Sequence, residues 1–260
     1  MEPLAFRQFA QNGKKKILFC GDDNLDMAAV YLASIIFAEG YDLDYVPSPL
    51  AFPHEADPDT YDLLIFSDYP RAKVSDAQLH TIASCVSDGG SFLMIGGWES
   101  FCGLNREYND SPLADILPVM MQEKDDRVNY PQGIVVLPAS EDRALLKELD
   151  WEHPGIIGGY NAFTPKKDAQ ILLQGVKLNI SNTSGSLKIN TEKKRIPLMV
   201  TGKSGKGRTS ALAFDLAPHW VGGFVDWGME RKRVDFNNGS IEVGNMYYRF
   251  IANMLAALLR

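Results

Sequence analysis

The residues with the clearest chemical potential follow an apolar segment late in the chain. The sequence Ala211-Leu-Ala-Phe-Asp-Leu-Ala-Pro-His-Trp220 places Asp215 and His219 just beyond a predicted buried strand. A histidine changes charge near neutral pH, so His219 is a candidate general base, with Asp215 as a candidate carboxylate in the same site. Ligands of open α/β sheets bind beyond the carboxyl ends of the strands, where this segment is predicted to lie.

Acidic side chains follow three other predicted strands: Asp23, Asp68 and Glu99. We expect the loops that carry them to meet with the His219 loop at one edge of the sheet. These loops are residues 21–24, 67–71, 96–103 and 215–224. Clustered carboxylates suit a hard cation, but such residues more often cap helices, and we predict neither a metal nor a cofactor.

Glu99 is the acidic residue with the most direct chemical interpretation. It is predicted at a helix N-terminus, where a carboxylate anion is favoured. With His219 it could position a water or a substrate proton; alternatively, it only caps the helix.

Aromatic residues are concentrated in the same predicted loops. They are Tyr69, Trp98, Tyr108, Trp220 and Trp227. Such residues suit a sugar or a flat ligand, but they suit core packing or a subunit interface equally well. The predicted ligand-binding residues are therefore Asp23, Asp68, Tyr69, Gly97, Trp98, Tyr108 and Trp220.

Short apolar strands that alternate with amphipathic helices predict an α/β fold. Strands are predicted at 16–20, 42–46, 61–66 and 91–95. The segment Ser75-Asp-Ala-Gln78 has the pattern of a capping box at the start of a helix. This alternation is typical of a mostly parallel, doubly wound sheet with helices on both faces, which makes three layers.

The last third of the chain has a different pattern. Strands predicted at 171–180, 186–189, 197–201 and 208–214 are joined by polar turns, which indicates an antiparallel extension. The Gly- and Pro-rich residues 151–165 are predicted to be a loop, and the C-terminal segment a helix. Without a repeat or a linker in the sequence, we expect a single domain over residues 1–260.

Several segments together resemble a known family. They are Phe92-Leu-Met-Ile-Gly-Gly-Trp-Glu-Ser100, Ser111-Pro-Leu-Ala-Asp-Ile-Leu-Pro118, Gly205-Lys-Gly-Arg208 and the His219 segment. The chain is similar from about residue 16 onward to the "putative glutamine amidotransferase" family. That family belongs to the class I glutamine amidotransferase-like superfamily and is distantly related to the trehalose-utilisation-type proteins. The resemblance implies a flavodoxin-like fold.

The resemblance also implies a degenerate catalytic triad. Trp98 stands at the position of the nucleophilic cysteine, and Ser100 at that of the following glycine. The loop that corresponds to the oxyanion loop contains Asp68. His219 matches the family histidine, but Val221 stands where the family has a glutamate. Cys102 is not expected to replace the nucleophile, since a free cysteine is usually buried.

Three functions are compatible with these residues. The first is a catalytically silent domain that binds a small molecule or a protein partner at the carboxyl-end edge of the sheet. The second is a hydrolase that uses His219 with Glu99 or Asp215, on a carbohydrate-derived substrate. The third is a glutaminase that uses Cys102. The sequence does not decide whether the protein forms a homo-oligomer.

Composition excludes other classes of protein. The formal net charge of −7 argues against nucleic-acid binding through a basic surface. No apolar run approaches the roughly 20 residues that span a bilayer, so we expect no membrane partner. Three cysteines and the lack of a signal-peptide pattern indicate a soluble cytoplasmic protein.

Overall fold

The computed structural model describes residues 5–13, 15–140, 143–183 and 185–260. Within these ranges, the side chains of Arg143, Ala144, Thr183, His219 and Val221 lie outside what is described. Among the described residues, no helix is both long and apolar enough to cross a membrane.

The described chain alternates strands and helices in its first half and is rich in strands thereafter. The strands are β1 (Arg7–Phe9), β2 (Lys16–Gly21), β3 (Asp42–Val46), β4 (Leu63–Ser67), β5 (Ser91–Ile95), β6 (Val119–Met121), β7 (Arg127–Pro138), β8 (Ile156–Asn161), β9 (Phe163–Pro165), β10 (Gln170–Thr183), β11 (Ser186–Ser204), β12 (Gly207–Leu212), β13 (Arg231–Phe236) and β14 (Gly239–Gly244). The helices are α1 (Ala29–Ala38), α2 (Asp76–Asp88), α3 (Pro112–Ile116), α4 (Arg143–Leu146), α5 (Pro218–Val221) and α6 (Asn245–Leu258). Single 3-10 turns occupy Pro58–Thr60, Arg71–Lys73 and Gly222–Asp226.

Ten strands form one mixed sheet in the order β1-β3-β2-β4-β5-β12-β11-β10-β7-β8. The five strands from β3 to β12 in this order are parallel. Of these, β2, β4 and β5 are short apolar segments with almost every residue buried, as expected for strands covered on both faces. The predicted α/β class and the parallel N-terminal side are confirmed.

Helices cover the parallel strands. α1 packs against α6, and α2 packs against α3. The capping box predicted for α2 is present, because the Ser75 hydroxyl accepts the Gln78 backbone N–H and the Gln78 side chain accepts the Ser75 N–H.

The antiparallel part of the sheet is larger than predicted. It begins at β7, near the middle of the chain, and the predicted loop 151–165 contains β8 and β9. The glycines of β8 have a packing role: a Cβ at Gly159 would lie 1.9 Å from Nε1 of Trp220. The glycine content therefore reflects a close contact and was wrongly interpreted as a loop.

A register shift bends the ribbon of β7 and β8. The pairing is interrupted between Asn129 and Ile134, and such irregularities bend strands. The end of β8 then lies beside the end of the parallel strands, where the Asn161 N–H donates to the Ala213 carbonyl at 2.6 Å. This brings Asn161 to the edge at which the sequence predicts a site.

One glycine of the parallel half offers a stability test. A Cβ at Gly207, in β12, would lie 1.8 Å from the Val86 carbonyl oxygen and 2.4 Å from that of Gly90. We expect Gly207→Ala to lower the free energy of unfolding by about 2–3 kcal/mol because this contact cannot relax without moving α2. Gly239→Ala, where a Cβ would meet open space, is the matched control and should change it by less than about 0.5 kcal/mol. Urea denaturation of both variants measures the difference; equal effects would contradict this account.

Candidate functional site

The loops that follow the parallel strands meet at one edge, which we call the site edge. The Asp22 N–H donates to the Ser67 carbonyl at 2.9 Å. The Asp68 N–H donates to the Ser100 hydroxyl at 3.0 Å, and the Ser48 hydroxyl donates to the Asp68 carbonyl at 2.8 Å. The loops after β2, β4 and β5 are therefore bonded to one another as the sequence predicts.

Carboxylates are concentrated at the centre of the site edge. Asp22 and Asp215 are both buried. Burial raises the pKa of Asp22 well above its ordinary value, and the charges of Asp215 and Asp68 raise it further, while the nearby Ser67 hydroxyl partly opposes the shift. Among the described atoms, Oδ1 of Asp22 has no hydrogen-bond partner. This acidic cluster therefore favours a proton or a positively charged group beside Asp22.

The backbone of the acidic cluster is in an unusual conformation. Asp22, Asp23 and Asp68 have φ of 52°, 54° and 48°, in the left-handed region that residues other than glycine rarely adopt. Strained backbone of this kind is concentrated at functional sites. The sequence placed Asp23 and Asp68 in the site, but it suggested Asp22 only as a cation ligand or a helix cap, and no pattern indicates the burial of Asp22.

The turn after β5 differs from the predicted one. Residues 98–110 form successive turns, Phe101 has φ of 53°, and the next helix begins at Pro112. The predicted helix at Trp98 and the position of Glu99 at its N-terminus are therefore wrong. Trp98 itself is 57% exposed, and its φ is outside the left-handed region, unlike the strained residue of a nucleophile elbow.

Backbone N–H groups at this turn are already bonded to side chains. The Gly97 N–H donates to Oδ1 of Asn161 at 2.9 Å, and the Glu99 N–H donates to Oδ1 of Asp68 at 2.5 Å. The Asp68 carboxylate lies so close that a Cβ at Gly97 would be 2.7 Å from its Cγ. An acyl-transfer site needs such groups directed at the substrate oxygen.

Two buried residues that the sequence did not suggest support the turn. Asn161 donates from Nδ2 to the Gly97 carbonyl at 3.0 Å and to Oδ1 of Asp126 at 2.8 Å. Asp126 also accepts the N–H groups of Cys102 at 2.9 Å and Gly103 at 3.1 Å. Burial raises the pKa of Asp126 to about 6, against the opposing effect of these donors. Asn161 was overlooked because it falls in the predicted loop.

All three cysteines are buried. Burial, and then the charge of Asp126, raise the pKa of Cys102. Burial raises that of Cys85 to about 12 and that of Cys20 well above its ordinary value. A nucleophilic cysteine needs the opposite shift, because the thiolate is the reactive form.

The predicted acid–base residues are partly in place. Glu99 is half-buried, and its pKa is raised by burial and then by Glu107 and Asp23, against a smaller opposing effect of Lys73. Asp215 follows β12, and its Oδ1 accepts the Ala217 N–H at 2.8 Å. His219 belongs to α5, but its side chain lies outside the described residues, so its role stays a prediction.

Most of the aromatic residues predicted near the site belong to the core, which is one of the alternatives that the sequence left open. Tyr69 and Tyr108 are in the core, where their hydroxyls donate to the Leu50 and Tyr69 carbonyls. Trp220 and Trp227 are buried as well. Of these five described side chains, Trp98 alone is exposed, and the Arg127 guanidinium lies 4.6 Å from its ring centroid. Tyr69, Tyr108 and Trp220 thus support the site edge from beneath.

No metal centre is apparent in the part of the chain that the structure describes. There, no three His, Cys, Asp or Glu side chains are grouped so that they could hold an ion.

The fold and the site edge define an α/β protein related to the glutamine amidotransferases. Residues 19–237 match the family described as "Putative glutamine amidotransferase", and the chain belongs to this family.

Solved structures agree with this assignment. The cytoplasmic protein STM3548 from Salmonella typhimurium is 25% identical, with a TM-score of 0.70 over 94% of this chain and 98% of that one. The cytoplasmic protein STM1381 from Salmonella typhimurium LT2 is 27% identical, with a TM-score of 0.70 over 94% and 99%. A ThuA-like protein from Bacteroides uniformis shares the fold, with 17% identity and a TM-score of 0.52 over 84% of this chain and 88% of that one. No curated protein matches the chain.

The raised pKa of Asp22 predicts a stability effect with a defined dependence on pH. In the unfolded chain, the Asp22 carboxyl ionises near pH 4, whereas the fold disfavours the anion. Asp22 therefore lowers the free energy of unfolding more and more as the pH rises above 4. We expect Asp22→Asn to raise the free energy of unfolding at pH 7 by about 1–3 kcal/mol, and this gain to vanish below about pH 4. Denaturation between pH 3.5 and pH 7 measures this gain. The control, Asp26→Asn at an exposed position, should change the free energy of unfolding by less than about 0.5 kcal/mol. A loss of stability at pH 7, or a gain independent of pH, would refute the assignment.

Proposed function

We propose that this protein is a glutamine amidotransferase-like binding protein without glutaminase activity, and that it holds a small molecule or a protein partner at the site edge. The observation that carries the proposal is the turn after β5. It presents Trp98 at the nucleophile position, and the N–H groups of Glu99 and Asp68 are bonded to Asp68 Oδ1 and Ser100 Oγ.

These bonds bear directly on amide hydrolysis. Attack on a glutamine carboxamide requires a thiolate, and it places negative charge on the amide oxygen. In a nucleophile elbow, that charge is stabilised by the N–H of the residue after the nucleophile and by an N–H of a neighbouring loop. The equivalent groups here, from Glu99 and Asp68, already have acceptors. The carboxylate of Asp68 would in addition repel the developing charge.

The charges of the site edge favour a particular ligand chemistry. Asp22, Asp23, Asp68 and Glu99 make an anionic ligand unfavourable and provide acceptors for ammonium or hydroxyl donors. Trp98 adds an exposed flat ring beside them, which suits the apolar face of a sugar. We therefore infer a ligand rich in amino or hydroxyl groups.

Fold-level inferences accompany this proposal. The parallel strands taken in chain order have the arrangement 2-1-3-4-5, which is that of flavodoxin-like proteins. We infer a three-layer, doubly wound core within a single domain over residues 1–260. A cytoplasmic location is proposed as well, because the two similar Salmonella structures are of proteins named as cytoplasmic.

The absence of glutaminase activity can be tested by introducing a cysteine at the nucleophile position. We expect the wild type to release no ammonia from glutamine and to resist labelling by a diazoketone analogue of glutamine. Trp98→Cys should become reactive toward a general thiol reagent and still release no ammonia, because the stabilising N–H groups stay bonded. Ammonia release by the wild type that disappears in Cys102→Ser would overturn the proposal.

Ligand binding can be tested by thermal unfolding. Because a ligand that binds the folded form raises Tm, we expect a sugar, amino sugar or polyamine, and no phosphate compound, to do so. For Asp23→Asn, the ligand concentration needed for the same rise in Tm should be at least about tenfold higher, since one charged hydrogen bond is lost. Asp26→Asn, in the same loop, should leave it unchanged. Stabilisation by phosphates alone would contradict the proposed site.

A hydrolase is the second candidate, because the raised pKa of the half-buried Glu99 suits a general acid. The base would be His219 or Asp215, and the substrate a carbohydrate derivative. The same compounds distinguish the two functions: a hydrolase consumes its ligand and loses turnover in Glu99→Gln, whereas a binding protein leaves it intact.

A further inference from the structure

The ribbon of β10 and β11 extends beyond the rest of the sheet. Among the described strands, residues 178–183 and 185–195 pair only within this ribbon, and we call them the arm. The pairs from Leu178 to Thr183 span about 17 Å at 3.3 Å per residue. Tyr130 and Gln132 support its base through the Leu178 carbonyl and the Ile180 N–H.

The arm projects from the site edge. Met199 of β11 is opposite Leu212, the last residue of β12, and Leu212 is level with Ile95 at the end of β5. Residues of β11 that precede Met199 therefore lie beyond the carboxyl ends of the parallel strands. The arm and the acidic loops are on the same side of the molecule.

One face of the arm carries exposed apolar side chains near its tip, beside the half-buried Ile180. Ile180 is opposite Ile189, and the next pair on this face contains Leu187. Leu187 is 65% exposed and Ile189 is 59% exposed. An isolated two-stranded ribbon is marginally stable in water, and an apolar ribbon face invites association. Leu187 and Ile189 therefore offer an apolar contact to another molecule.

The site edge has an uncovered apolar surface of its own. Met27, Trp98 and Leu104 are exposed, and they lie in the loops after β2 and β5. The rest of these loops carries the carboxylates described above, among them the exposed Asp23 and Asp26, and the basic residue Arg106, which is paired with Asp110. Apolar side chains within an acidic surface call for a partner that is both apolar and basic.

The arm has that combination. It carries four basic residues and one acidic residue, in a chain whose net charge is −7. The basic residues are Lys188, Lys193, Lys194 and Arg195, all of them exposed. A second copy of this chain therefore offers both the apolar contact and the opposite charge.

We propose that the arm of one copy lies across the site edge of a second copy, with Leu187 and Ile189 against Leu104 and Met27. The basic residues at the base of the arm, Lys193, Lys194 and Arg195, lie toward the acidic loops. Because arm and edge are on the same side, a two-fold axis makes the contact reciprocal, so both arms and both edges are buried. Each copy then borders the other's site. This inference is independent of whether the site binds or hydrolyses its ligand.

The test uses exposed apolar residues that the fold of one copy does not need. We expect sedimentation equilibrium to show a wild-type dimer. Ile189→Asp on the arm and Leu104→Asp on the edge should each raise the dissociation constant at least about tenfold, since each places a carboxylate in the contact. Met229→Asp, at a site 84% exposed and not among the residues of the proposed contact, is the control and should stay dimeric. Circular dichroism confirms that each variant is folded.

Mixing the two variants adds a complementation test. The arm of Leu104→Asp and the edge of Ile189→Asp are both intact, so the mixture should form a dimer with one restored contact, tighter than either variant alone. In addition, Leu187→Cys and Leu104→Cys on separate copies should form a disulfide between chains. A monomeric wild type, dimers insensitive to both substitutions, or a disulfide that forms only within a chain carrying both cysteines would overturn the proposal.

Discussion

The structure at the site edge depends on one constraint: backbone N–H groups at the ends of parallel strands must find acceptors. Here the acceptors are side chains, Asp68 for the Glu99 N–H and Asn161 for the Gly97 N–H. The turn can approach these side chains only because Gly96 and Gly97 lack a Cβ, which would lie within 2.7 Å of Asn161 or Asp68. The same two glycines that resemble a nucleophile elbow thus serve a closed hydrogen-bond network.

The acidic cluster opposes stability. Asp22 is buried beside Asp215 and Asp68, and its Oδ1 has no partner among the described atoms. The Ser67 hydroxyl opposes the pKa shift of Asp22 only in part, whereas Asp126 is stabilised by three N–H donors. A poorly stabilised carboxylate in a strained loop is typical of a binding site, where function takes precedence over stability.

Local patterns predicted the parallel half well and the edge only in part. The strands β3 and β5 and the capping box of α2 follow from apolar runs and from cap residues, which act within a few positions of the sequence. Trp220 and Tyr108 were misplaced because their burial depends on distant partners: Gly159 for the first and the Tyr69 carbonyl for the second. The network of Asn161 joins three loops that are remote in sequence, so no spacing in the chain reveals it.

The carboxamide of Asn161 bonds Gly97 as a neighbouring strand would, because it accepts from the N–H and donates to the carbonyl of the same residue. The Asn161 side chain therefore continues the sheet hydrogen bonding past the end of β5. Release of the Gly97 peptide requires the tip of β8 to separate from the rest of the sheet, so slow amide exchange should extend into what is formally a loop. The first residues of the turn share the rigidity of the strands, and adaptation to a ligand is left to the side chains beyond them.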